Sequence, residues 1–132
     1  MKQSFIFFAI LLLFSGLQGC KKADAEPDWA SAVVGKYTGK QTENGGISYA
    51  SSLTITKTSA KGIAITLIDL RDNSEDAQIN DITMTSATAF NVLYDPYRDG
   101  KGFNIDGTLS GNTLAVTVKS SGQLLTSFSG SK

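Results

Sequence analysis

The chain has 132 residues, 12 Lys plus Arg against 12 Asp plus Glu, 13 Gly, one Cys and no His, a scale that fits one domain. One cysteine cannot close an internal disulfide or build a Cys-based zinc cluster, and a chain without histidine runs no Ser-His or Cys-His relay. With zero formal net charge and no Lys/Arg run interleaved with aromatics, it offers a phosphate backbone no field to follow, so no nucleic-acid partner is expected.

Chain order begins with Lys2 and then ten consecutive apolar residues, Phe5 to Phe14. The run falls short of the ~18 residues that a membrane-crossing helix needs, and its cationic start and small-residue end follow the pattern of a cleaved signal peptide. It ends in Leu17-Gln18-Gly19-Cys20, which resembles the lipobox of bacterial lipoproteins. The resemblance implies cleavage between Gly19 and Cys20, a diacylglycerol thioether on Cys20 and acylation of the new amino terminus. Two or three acyl chains make a lasting anchor where one holds only marginally. Residues 1–19 are therefore expected to be signal peptide, and residues 20–28 a solvated, lipidated tether. In Gram-negative members of that family an Asp after the Cys marks retention at the inner membrane. Lys21 stands there instead, so the resemblance implies the outer membrane.

After the tether, Asp28 precedes Trp29 to Val34 and Gly35 follows, which predicts one helical turn with Asp28 as N-cap. From Gly35 the hydrophobic period becomes two. Ile47, Tyr49, Leu53 and Ile55 share one parity, and the same alternation returns at Ile63, Ile65 and Leu67; at Phe90, Val92 and Tyr94; at Phe103 and Ile105; and at Leu114, Val116 and Val118. Half-buried strands read this way. Turn chemistry separates them, as in Asp72-Asn73, Gly111-Asn112 and Ser121-Gly122. Eight strands are predicted, over 35–42, 47–58, 62–70, 77–85, 87–94, 102–109, 113–119 and 123–129. Ile79 and Ile82 have opposite parity, which predicts a bulge at Asn80-Asp81. Ile68 and Leu70 give the third strand apolar groups on its second face.

Short connections favour sequential antiparallel pairing. The expected fold of residues 29–132 is an all-β, eight-stranded antiparallel up-and-down barrel, with a flattened β-sandwich as the alternative. Val34-Gly35-Lys36-Tyr37-Thr38-Gly39 with Trp29 upstream, and Gly107 to Leu114 near the end, resemble the small lipocalin-like lipoproteins, a family whose barrel forms a cup for one apolar molecule.

Whether this barrel holds a ligand depends on its filling. Large inward residues, among them Tyr37, Tyr49, Leu53, Ile55, Phe90, Phe103, Leu114 and Phe128, are expected to occupy most of the interior. Tyr37, Tyr49, Tyr94 and Tyr97 are the candidates for lining a shallow pocket at one end. Asp95 to Asp106 places carboxylates at loop positions one, five and twelve and Gly at six, as a calcium loop would. Tyr at three, Gly at eight and flanking strands favour a hairpin loop instead, and no metal is assigned. The acidic stretch Asp69 to Asp81 selects no acid–base pair. No catalytic residue and no cofactor is expected. The expected role is a non-enzymatic, lipid-anchored binding module of the cell envelope for a small apolar ligand or a protein partner. The alternative is an accessory subunit of an envelope complex.

Overall fold

A computed structural model describes residues 25–44, 46–96 and 98–132 of the chain. The predicted signal peptide, Cys20, the start of the predicted tether, Gly45 and Tyr97 lie outside the described residues. Alternating side chains drive the architecture. On each strand one parity is apolar and buried, as with Tyr37, Leu53, Ile55, Ile65, Ile105 and Val116, while the other carries Lys36, Thr38 and Lys40 into solvent. Such strands can hide their apolar faces by curling round one another.

They do so as β1 (Gly35–Glu43), β2 (Ile47–Lys57), β3 (Gly62–Asp69), β4 (Ser74–Ser86), β5 (Ala89–Tyr94), β6 (Phe103–Ser110), β7 (Thr113–Ser120) and β8 (Gln123–Ser131). Each pairs antiparallel with the next, and β8 returns to β1 from Thr38–Ser131 to Glu43–Thr126. This last ladder closes the barrel and excludes the flattened sandwich. Ser121 and Gly122 both take positive φ (50° and 79°) in the two-residue link between Ser120 and Gln123, the backbone of a type I′ hairpin.

The two ends of the barrel differ. At one, the helical turn α1 (Ala30–Val33) lies over the lumen and buries Ala30 and Val33. The Ala30 amide donates to the Ala60 carbonyl (2.9 Å), Lys57 pairs with Asp28 (2.5 Å), and Lys61 pairs with Glu26 (2.8 Å) and lies over the Trp29 ring. The residues leading into the barrel are thus held on the β2–β3 turn. Asp28 acts one residue further out than predicted. Trp29 occupies the N-cap position, and the Asp28 carboxylate accepts from the Ser31 amide (3.3 Å) and hydroxyl (2.8 Å). At the opposite end, the connections β1–β2, β3–β4, β5–β6 and β7–β8 surround an open mouth.

Bulges shape that mouth. The predicted one exists: Ile63 faces Ile82 and Ile65 faces Ile79, so two residues of β3 span three of β4, with Asp81 at φ 60°. Two more lie near the open end. Leu67 faces Ala77 while Ile68 faces Glu75, which leaves Asp76 as the extra residue. Val118 faces Thr126 while Lys119 faces Leu124, which leaves Leu125. β4 starts at Ser74 rather than at the predicted 77, because Ser74-Glu75-Asp76 is polar throughout and shows no alternation from which a strand could be read. Ile68 and Leu70 are both half-buried.

Candidate functional site

At the plugged end Tyr37, Ile55, Ile63, Ile82, Met84, Phe90 and Leu114 are buried and fill the lumen. Toward the mouth the filling stops, and a cavity of about 420 Å³ remains. Ile65, Ile105, Val116 and Phe128 line its depth, and Leu67, Phe103, Val118, Leu125 and Tyr94 line it nearer the opening. This corrects the expectation of a mostly filled interior. Ser51, Ala77 and Thr126 also occupy inward or lining positions in this half, and these short side chains leave space that a tally of large ones overlooks.

Polar groups concentrate at the mouth. Gln41 is 5 % exposed and lines the cavity; its Oε1 accepts from the Ser51 hydroxyl (3.4 Å), and among the described residues its Nε2 has no partner. Among the described residues that line the cavity, Asp76 is the one that carries a charge. The Tyr49 hydroxyl donates to Glu43 and lies 3.4 Å from Asp76 Oδ2. One phenol proton serves one carboxylate at a time, so lone pairs of Asp76 stay open. The Arg71 guanidinium stacks over the Tyr49 ring, 3.6 Å from its centroid, and its Nε donates to both Asp69 oxygens (3.1 and 2.8 Å). Hydrogen bonding from Arg71 holds the Asp69 carboxyl below its ordinary range. Burial first, and then the hydrogen bond to Glu43 and the charge of Asp76, raise the Tyr49 phenol far above its ordinary range. Arg71 is thus committed to Asp69, and the mouth beside Asp76 is left acidic.

The predicted tyrosines fall at three different places. Tyr94 lines the cavity at the mouth. Tyr49 stands beside it and reaches the cavity wall through Asp76. Tyr37 sits at the far end, where its hydroxyl donates to the Val33 carbonyl. Tyr97 lies outside the described residues, and so does Cys20. Sequence reasoning missed Gln41, Asp76 and Leu125. Gln41 shares the parity of Tyr37 on β1 and could have been found by that signal. Asp76 and Leu125 face the lumen through bulges that their local pattern does not show.

The loop at 95–102 turns its carboxylates onto its own backbone. Asp95 accepts from the Gly100 amide (2.9 Å) and Asp99 from the Lys101 amide (2.9 Å). Asp106 lies in β6 and accepts from Asn91 of β5 (2.5 Å).

No protein-family model matches the chain, and no curated protein matches it. Among solved structures it is similar to a redesigned β-barrel, with a TM-score of 0.58 and 13 % identity over 80 % of this chain and 96 % of that one. It is also similar to a candidate outer membrane protein from Bacteroides fragilis, with a TM-score of 0.51 and 17 % identity over 80 % of this chain; the match spans about half (53 %) of that protein. At these identities the likeness concerns the fold: a closed, eight-stranded, antiparallel β-barrel.

Proposed function

We propose that the chain is a lipid-anchored lipoprotein of the cell envelope, tied to the outer membrane through Cys20, whose barrel binds a small apolar molecule without transforming it. The observation that carries the binding reading is the cavity. About 420 Å³ of apolar-lined space falls in the ~300–1,000 Å³ range of small-molecule sites. The location rests on the lipobox resemblance and gains support from the outer-membrane neighbour. Two features of the fold suit an anchored binder. Residues 26–33 run onto the plugged end, so a tether leaves from the side opposite the mouth. The outer face carries Lys36, Lys40 and Asp106, unlike the apolar band of a membrane-spanning barrel, so the body suits water and the acyl chains supply the attachment.

A second reading, docking of a protein partner, draws on the exposed Ile47, Leu93 and Leu124 near the open end; the size of the cavity favours the small ligand. The test uses residues 25–132, because the strands pair in a closed cycle and the buried core lies between Ala30 and Phe128. Fluorescence of N-phenylnaphthylamine should rise saturably when it is added to this body. Val116→Trp, which fills the cavity, should abolish the rise while leaving the strand signature in circular dichroism. An unchanged titration in that variant would refute binding in the lumen.

A further inference from the structure

Given that the cavity takes an apolar molecule, we infer that its ligand is a single-chain amphiphile with a hydrogen-bond-donating head of no negative charge, an amine or an alcohol, seated with that head at Asp76 and Gln41 and its chain toward Val116 and Phe128. The polarity of the lumen sets this orientation. Its deep wall is apolar, and Asp76 and Gln41 lie on strands β4 and β1 in the half nearer the mouth.

The chemistry of the head follows from what the mouth lacks and what it leaves unpaired. Among the described residues no Lys or Arg lines the cavity, and the Arg71 guanidinium nearby bonds Asp69. A carboxylate head would therefore meet Asp76, with Glu43 behind it across Tyr49, while the nearest cation, Arg71, stacks on the far side of that ring and bonds Asp69. Like charges repel, and because Asp76 and Glu43 are themselves exposed the repulsion acts through water and is modest. An ammonium or hydroxyl head instead donates to the open lone pairs of Asp76. The second, independent observation is Gln41, a buried amide that faces the cavity and whose Nε2 lacks a partner among the described residues. Among the described residues its Nε2 is not one of the enclosed, unsatisfied polar atoms, so it is reachable from the cavity, where the oxygen of an alcohol head can accept from it while an ammonium head relies on Asp76 alone.

The test is displacement of N-phenylnaphthylamine from residues 25–132 by dodecylamine, dodecanol and laurate, which share one chain and differ in the head. Dodecylamine should displace the probe at a concentration at least tenfold below that of laurate, with dodecanol between, as expected for one charge-assisted hydrogen bond gained against one repulsion. Asp76→Asn should shrink the amine–laurate gap to about threefold or less. Glu75→Gln, which removes a neighbouring exposed charge outside the cavity, should leave the gap intact. If laurate displaces the probe as well as the amine does, or if Asp76→Asn leaves the gap unchanged, the head assignment is wrong although lumen binding stands. If neither the probe nor any of the three compounds binds, the binding reading itself fails. The rank order on the unmutated body is decisive even if Asp76→Asn proves unstable.

Discussion

The Tyr37 hydroxyl donates a 2.7 Å hydrogen bond to the carbonyl of Val33, so the side chain at the bottom of the lumen holds the helical turn that plugs it. Both residues are fully buried, and no water can replace the phenol. Tyr37→Phe should therefore leave the Val33 carbonyl unsatisfied and cost about 1–3 kcal/mol, read as a lower urea midpoint with unchanged slope. Binding of N-phenylnaphthylamine should not change, because Tyr37 is remote from the mouth. A weakened titration without loss of stability would show that Tyr37 touches the ligand.

Phe90 and Gly107 face each other across the β5–β6 ladder, and the Phe90 ring occupies the space a side chain at Gly107 would need. A Cβ there would lie 2.0 Å from Phe90 Cζ. Gly107→Ala should destabilise the barrel by about 1–3 kcal/mol through overpacking. Phe90→Leu should recover part of that loss, a coupling measurable in a double-mutant cycle. Additive losses would mean that the clash relaxes elsewhere.

The rim makes stability depend on pH at both extremes. Hydrogen bonding from Arg71 depresses the Asp69 carboxyl below its ordinary value of 3.8. The stability from this pair is thus present above about pH 4 and is lost as pH falls below 3.8 through the depressed value. Asp28, bonded to Lys57 and Ser31, and Asp72, bonded to Ser74, shift the same way and should add to the acid limb. Tyr49 behaves oppositely. Burial and the Glu43 hydrogen bond raise its phenol above the ordinary 10.0, so its contribution is present below that value and fades as pH climbs beyond it. Alkaline difference absorbance should show a tyrosine step above the ordinary value, and Tyr49→Phe should remove that late step. Loss of an early step instead would contradict the assignment.

The lipid anchor is tested at Cys20. In a bacterial host, labelled palmitate should enter the full chain, and Cys20→Ser should abolish incorporation and release the protein from the membrane fraction. Equal labelling of that variant would remove the anchor from the account.

Much of the barrel was legible because alternation is a local property. Ile47 to Ile55, Phe103 to Ile105 and Leu114 to Val118 display the period of two directly, and the Gly111-Asn112 and Ser121-Gly122 turns mark their own positions. Even the bulge at Asn80-Asp81 betrayed itself, since Ile79 and Ile82 fall out of phase. The bulge at Asp76 did not, because Ser74-Glu75-Asp76 is polar throughout and a polar run carries no phase to break.

By itself, the order of residues determined the all-strand class and the sequential pairing, since each depends on side chains within a few positions of one another. Only the folded barrel decided that the lumen is half empty, that Tyr94 borders it while Tyr37 braces the plug, and that Asp76 joins Gln41 at the mouth. Those outcomes depend on which strands meet when the sheet closes and on how bulges turn particular side chains inward. Both are set by packing between distant segments.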